Sequence, residues 1–406
     1  MKLRYRYRIY PNREQAKRLA QLFGCYRVVW NDALALSQEI YRAGGKYPGG
    51  AALMKRVITE AKNTTERAWL ASVSVVPLQQ AIRDLDVAFR NFFGSVTGKR
   101  KGPKVSMPRF KRRHATQSAR FTTRGFSCRP TGKLYLAKVG DIKVKWSREL
   151  PSPPSSVTVI KEASGRYFAS FVVEVEPMAI PDNGKAIGID LGIATFATLS
   201  SGEKIAAPTP LKSNLRKLAR LQKQLSRCQK GSNRREIARR KVAKLHARIA
   251  DIRSDFLHKL SSRLVFENQE INLEDLNVSG MVKNRKLSRA ISDLGWRQFR
   301  TLLEAKAVIY ERTVNVINRW MPTSQTCSTC GFRGGKKALD VREWVCISCG
   351  AVHDRDVNAA VNIKVAGGQS ETKNRRLRTR KTGSKSARSV DASTHLEHLQ
   401  LRLFGC

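Results

Sequence analysis

Acidic residues are scarce in this chain. It holds 32 Asp+Glu against 77 Lys+Arg, a net charge of +45 over 406 residues. An enzyme of small molecules gains nothing from that self-repulsion, whereas a polyanionic partner relieves it by releasing counterions. Long apolar runs are also missing. No stretch reaches the roughly 18 residues a membrane span needs, and the start MKLRYRYRIYPN alternates instead of running apolar. Neither a membrane segment nor a signal peptide is therefore expected. Four of the eight cysteines (Cys25, Cys128, Cys228 and Cys406) stand singly, which fits a reducing cytoplasm. What is present is a 41% hydrophobic fraction spread over several core-forming segments. That separates the chain from short RNA-packaging proteins and suggests two or three domains.

In the N-terminal half, Leu3, Tyr5, Tyr7 and Ile9 alternate with Arg4, Arg6 and Arg8, a strand with one core face and one cationic face. Pro11-Asn12 then leads into helical sequence to about Arg42. A second helix carries Leu78, Ile82, Leu85, Phe89 and Phe92 at 4-3-4-3 spacing. The following loop, GKRKGPKVSMPRFKRR, puts eight basic residues between Lys99 and Arg113. Such a run is ordinarily a solvated loop. Its Pro-Arg-Phe centre suggests instead an ordered segment whose cations, among them Lys104, Arg109, Lys111 and Arg112, track phosphates. Strands return from Lys133: residues 141–146 alternate, and residues 157–160 and 167–175 form a hairpin around Ser164-Gly165. This order reads as a β-barrel-like domain interrupted by a helical lobe, with residues 176–185 as the linker out of it.

The second half opens with AIGIDLGIATFATLSSGEKI, a buried strand ending on Asp190, a glycine turn and a second strand. That is how an RNase H-like fold begins, with Gly192 letting the backbone pass close to a metal. DxG by itself is explained as well by an aspartate capping a turn. Residues 212–253 carry fifteen Lys/Arg against Glu236 and Asp251. The stripe Ala238, Val242, Leu245, Ile249, Ile252 and Phe256, with Gly231-Ser232 as a break, predicts two antiparallel helices whose polar faces suit a phosphate backbone. A strand over residues 270–273 then delivers Glu274. A helix over residues 296–312 and a strand over 314–317 follow.

Cys327-Ser-Thr-Cys330 and Cys346-Ile-Ser-Cys349, fifteen residues apart, have the spacing of a zinc ribbon. Four thiolates close a tetrahedral site, so one Zn²⁺ there is structural. Asp356 follows in DRDVNAAVNI, where it could also be a helix N-cap, as Glu274 alone could be a surface carboxylate. Asp190, Glu274 and Asp356 lie 84 and 82 residues apart, each at the end or start of a regular element. Three converging carboxylates need cations to stay ionised. Two Mg²⁺ (or Mn²⁺) ions about 4 Å apart would answer that need and hydrolyse a phosphodiester.

RIYPN, the helix leading to MPRFKRR, GIDLGI, LEDLNVSGM, SQTCSTCG, WVCISCG and HDRDVNAAVNI, in this order, resemble the TnpB (OrfB) family of transposon-encoded RNA-guided nucleases over roughly residues 1–365. The resemblance implies an α/β multidomain fold: an N-terminal wedge β-barrel (1–180) with a helical recognition lobe inserted at about 12–95. A split RuvC (RNase H-like) nuclease domain follows at 186–322 and 353–365, with the Cys₄ ribbon at 323–352. It places the catalytic acids on Asp190, Glu274 and Asp356, and the reading of a target-flanking duplex on Gln79, Thr122 and Thr123. It implies a transposon-derived guide RNA and double-stranded target DNA as partners, no small-molecule substrate, and a prokaryotic, nucleoid-associated protein. Residues 366–406, with nine basic residues against three acidic, read as a disordered tail. The alternative reading is a non-cleaving, guide-dependent DNA-binding repressor; a strand-joining transposase is a weaker third.

Overall fold

The computed structural model describes residues 1–113, 116–338 and 340–369. The predicted tail from residue 370 onward lies outside the described residues. The described residues divide into two compact units, residues 2–175 and residues 176–369.

The first unit begins with β1 (Lys2–Tyr10), whose alternation puts Leu3, Tyr5, Tyr7 and Ile9 in the core. The opposite face is less free than its charge suggests: Arg6 pairs with Glu162 and lies over Phe168 at 3.7 Å. Asn12 caps α1 (Arg13–Arg42), accepting from the Gln15 backbone at 2.8 Å while the Gln15 side chain accepts from the Asn12 backbone, a reciprocal capping box. Short α2 (Gly49–Met54) and irregular helical turns lead to α3 (Val75–Val96), which buries Leu78, Ile82, Leu85 and Phe89 as its periodicity predicts.

Then come β2 (Gln117–Thr122), β3 (Phe126–Cys128), β4 (Lys133–Leu136), β5 (Gly140–Lys145), β6 (Ser156–Lys161) and β7 (Tyr167–Glu174). They form one antiparallel sheet with β1, in the order β2-β6-β7-β1-β5-β4-β3. The edge strands β2 and β3 are consecutive in sequence, joined only by Thr123–Gly125. In a flat sheet six spacings would hold the edges about 29 Å apart, yet so short a link spans at most about 14 Å. The sheet must therefore curl until its edges meet. No pairing ladder joins β2 to β3 among the described residues, so the expected barrel is a curled sheet without that seam.

The second unit starts at the expected linker, which is bolted down rather than loose. The Met178 N–H donates to Ile309 O at 2.8 Å, and Arg312 donates to Ile180 O and Pro181 O at 3.0 Å each. Its sheet is built from β8 (Ala186–Asp190), β9 (Ala197–Leu199) and β10 (Lys204–Ile205), then, after α4 (Pro210–Arg227) and α5 (Asn233–Glu267), from β11 (Glu270–Glu274). Helices α6 (Val278–Met281), α7 (Ser288–Leu294) and α8 (Trp296–Tyr310) precede β12 (Thr313–Ile317). The strand order is β10-β9-β8-β11-β12, with β8, β11 and β12 parallel. The basic segment is the expected helical hairpin, closed on Leu218, Leu245 and Ile249. Residues 323–352 hold a compact loop region with β13 (Glu343–Val345), paired with β14 (Val352–Asp354), which runs directly into α9 (Arg355–Gln369). This helix carries on past residue 365, where the tail was expected, and buries Ala366 against Ile317 and Ile363.

Candidate functional site

Parallel pairing puts the C-terminal ends of β8 and β11 at one edge of the sheet. The register sets Ile189 opposite Leu273, so Asp190 and Glu274 are the last residues of neighbouring strands, still paired on their outer sides with Thr198 and Ile317. Asp356 stands in the first turn of α9, which packs across both strands. Two glycines permit that packing. A Cβ on Gly188 would sit 2.0 Å from Ala360 O, and one on Gly367 would sit 1.8 Å from Asn272 Oδ1. Buried Asn315 completes the clamp, donating to Asn272 Oδ1 at 2.9 Å and Gly367 O at 3.2 Å.

The charges of Asp356 and Glu274 both bear on Asp190, with Arg355 opposing them. Burial, then the nearby charges of Asp356 and Glu274, raise the Asp190 carboxyl to about 7. Glu274 is also raised, by burial and by Asp275. The neighbouring acids behave differently. Asp275 is buried at some cost yet held below its ordinary value by hydrogen bonds from Arg300, at 2.7 Å, and Arg319. Asp354 is held by Lys204 at 2.6 Å. Its Oδ1 also accepts from the Asp356 and Val357 N–H groups at 3.0 Å, so the cap of α9 is Asp354, which frees Asp356 from that role. Asp356 has a longer ion pair, 3.5 Å, with Arg342, and the Lys204 charge also acts on it. Asp275 and Asp354 are thus closely paired, whereas Asp190 faces two like charges against the single opposing charge of Arg355.

These carboxylates do not form a compact single-ion cage: among the described residues the one such cluster is the four cysteines. Asp190, Glu274 and Asp356 offer oxygen donors, the type that a hard divalent cation takes. Gly192 needs its missing side chain for a reason other than the one expected. A Cβ there would meet Thr195 O at 2.8 Å, so the requirement comes from the turn itself.

Cys327, Cys330, Cys346 and Cys349 place all four sulfurs within 4.8 Å of one another. The Cys327–Cys349 and Cys330–Cys346 separations are 3.8 and 3.7 Å. A tetrahedron with Zn–S bonds of about 2.3 Å has edges of about 3.8 Å. The donor set and its geometry therefore fit one structural zinc. Burial would push Cys327 up, but the Cys330 and Thr329 N–H groups and the His353 ring outweigh it and bring the thiol to about 5. Sequence reasoning missed His353: one histidine behind a complete Cys₄ set carries no signal until the fold brings it to 3.0 Å from Cys327 Sγ.

In the first unit, Gln79, Thr122 and Thr123 line one cavity of about 340 Å³ together with Val76, Gln80, Arg83 and Arg124. The two arginines are additions that nothing in the linear pattern marked. Lys104, Arg109 and Arg112 are exposed on the basic loop and do not line this cavity. Lys111 differs from these three in its surroundings. It turns inward over Trp30 at 4.1 Å and Tyr26 at 5.3 Å, and burial lowers its pKa. Asn31 holds its backbone at both ends, N–H at 2.8 Å and C=O at 3.1 Å. Its contacts with Trp30, Tyr26 and Asn31 tie the loop to α1.

A protein of Streptomyces pristinaespiralis named "Putative RNA-guided DNA endonuclease" is 44% identical over 393 residues, covering 96% of this chain and 95% of that protein. The chain belongs to the TnpB (OrfB) family. InsQ of Escherichia coli K12, also named "Putative RNA-guided DNA endonuclease", is 33% identical over 380 residues, 89% of this chain and 92% of its own. Three family models match: OrfB_IS605, described as "Probable transposase", over residues 170–285; the Cas12f1-like TNB domain over 296–363; and a helix-turn-helix domain of OrfB proteins over 1–46. In this TnpB-family chain the last of these stretches is β1 and a single 30-residue helix, with no turn between helices. The fold is shared with a Cas12f1–sgRNA–target DNA complex solved by cryo-EM (TM-score 0.51, 14% identity, covering 86% of this chain and 82% of that one). Among the described residues no helix is long and apolar enough to cross a membrane.

Proposed function

We propose that this TnpB-family protein is an RNA-guided, Mg²⁺-dependent DNA endonuclease that cuts target DNA beside a short transposon-associated motif and helps its insertion sequence persist. The observation that carries this is Asp190, raised to about 7 at a strand end by burial and by two further acids that lack strong ion pairs. Structural carboxylates are placed beside cations, as Asp275 and Asp354 are. A buried carboxyl raised by two like charges is an arrangement suited to binding divalent metal. Asp190, Glu274 and Asp356 would hold the ions. Bound there, they supply the charge that makes water a nucleophile at neutral pH and stabilises the leaving oxygen.

The other parts take roles suited to their chemistry. The curled sheet and its inserted helices read as wedge and recognition lobe, the second sheet with α9 as a split RuvC domain, and residues 323–352 as its zinc ribbon. The α4–α5 hairpin and the exposed Lys104, Arg109 and Arg112 present cations to a guide RNA and its A-form heteroduplex, which are recognised by backbone while base pairing supplies sequence. The cavity at Gln79, Thr122 and Thr123 would read the flanking duplex. The relatives' names and the target-bound Cas12f1 neighbour support the same reading.

The test is a plasmid assay with two guides and two targets, run with and without Mg²⁺. Cleavage should follow the guide and stop when the metal is removed. Cutting that ignores the guide would leave a nonspecific nuclease. Guide-dependent binding with no cutting under any metal would leave the repressor.

A further inference from the structure

Helix α9 grips the zinc knuckle as well as the sheet. Asn358, 2% exposed, accepts from the Ser328 N–H at 2.8 Å. Its amide donates to Thr326 O at 2.8 Å and Thr323 O at 3.4 Å. One turn later Asn362 donates to the same two carbonyls at 2.7 Å each. Thr326 and Ser328 flank Cys327, whose thiol is met by His353 from β14. The backbone on both sides of one sulfur ligand is thus held by the helix that carries Asp356, and the sulfur by the strand feeding that helix.

We propose that Asn358 and Asn362 are positioning residues that couple the zinc knuckle to Asp356, so that metal held by the four cysteines helps to place the carboxylate. The ribbon is too small to keep its shape by hydrophobic burial, so its loop conformation depends on the ligated cysteines. Lose that conformation and the acceptors for Asn358 and Asn362 move. A buried amide does not stay put without them, because its unpaired groups carry a full desolvation cost. Asp356 sits two residues from Asn358 and moves with it. Coupling of this kind is reciprocal, so releasing the latch must also loosen the zinc. The catalytic half of this inference rests on the nuclease reading; the zinc half does not.

The experiment uses full-length protein with its co-purified RNA and bound zinc. Zinc transfer to a chromogenic chelator is timed for wild type, Asn358→Ala, Asn362→Ala and Asn362→Asp, and single-turnover cleavage and target binding are measured alongside. Loss of an outer partner typically costs about ten-fold or more in metal affinity, so zinc should leave about ten-fold faster from the variants. The cleavage rate should fall while target binding holds. Asn362→Asp keeps the volume but removes the donor, so it should behave like the alanine variant; wild-type behaviour there would overturn the hydrogen-bond basis. Hydrogen exchange over residues 355–363 should rise when wild type is stripped of zinc. Unchanged zinc release in the half-buried Asn362 variants, or unchanged exchange on stripping, overturns the coupling. If zinc release accelerates but wild type never cuts, the coupling stands and the nuclease reading fails.

Discussion

Gly188 lies directly beneath Ala360: a Cβ on the strand residue would come 2.0 Å from the helix carbonyl oxygen. This contact sets how closely α9 approaches β8, and with it the depth at which Asp356 meets Asp190. Neither backbone can yield without breaking its own ladder. Gly188→Ala should therefore cost about 3 kcal/mol or more, at or above the usual overpacking range. Urea denaturation would measure it. Cleavage should fall further than the stability loss explains, because the helix must lift.

Asp190→Ala and Asp356→Ala should each reduce cleavage by about three orders of magnitude or more, as losing a group that acts directly on transition-state charge does. Guide-dependent target binding should survive, since fewer carboxylates repel phosphate less. Gel-shift and plasmid-nicking assays on the same preparation separate the two effects. Normal cutting by Asp190→Ala would remove the proposed site.

The Asp190 carboxyl makes stability depend on pH when no divalent metal is added to the nuclease site. Its folded value, about 7, lies above its ordinary 3.8. Below both values each state is protonated and nothing is lost. Between them the unfolded chain ionises first, so stability falls as pH rises, and the loss is complete above about 7. Asp190→Asn removes the ionisation. It should raise the thermal midpoint at pH 8 and leave it unchanged near pH 3, with added Mg²⁺ narrowing the difference by stabilising wild type.

Lys111→Met should cost stability, about 1 kcal/mol from its stacking on Trp30, and leave the salt dependence of RNA binding as it was. Arg109→Ala or Arg112→Ala should do the reverse, each lowering the salt slope by about one if it meets a phosphate. Binding isotherms at several salt concentrations give the slopes. A reduced slope for Lys111→Met would return it to the phosphate-binding set.

Cys346→Ser should lower bound zinc from about one equivalent, because three thiolates and a hydroxyl make a poor tetrahedral set. Residues 323–352 should become protease-sensitive while the curled sheet of residues 2–175 keeps its protection. Metal analysis and limited proteolysis check both halves.

Much of this protein can be read from local pattern. The alternation of β1, the α3 stripe from Leu78 to Phe89 and the cysteine spacing are local patterns, and the structure buries those side chains and gathers those sulfurs as the pattern says. Pattern could not tell which acids are already satisfied. Asp275 and Asp354 sit one and two residues from Glu274 and Asp356 in sequence, and only the arrival of Arg300, Arg319 and Lys204 from distant segments separates the tightly held charges from the others. Likewise Lys111 is one cation in a run of eight until Trp30 and Tyr26 pack beneath it. The curl of the first sheet follows from strand order, which no single strand encodes. Asn358 and Asn362 look like ordinary polar helix positions until the knuckle closes on them. Periodicity reports the side of an element on which a residue lies. The partner waiting on that side is decided by tertiary packing, and the partner determines whether a charge is neutralised, buried or left free to act.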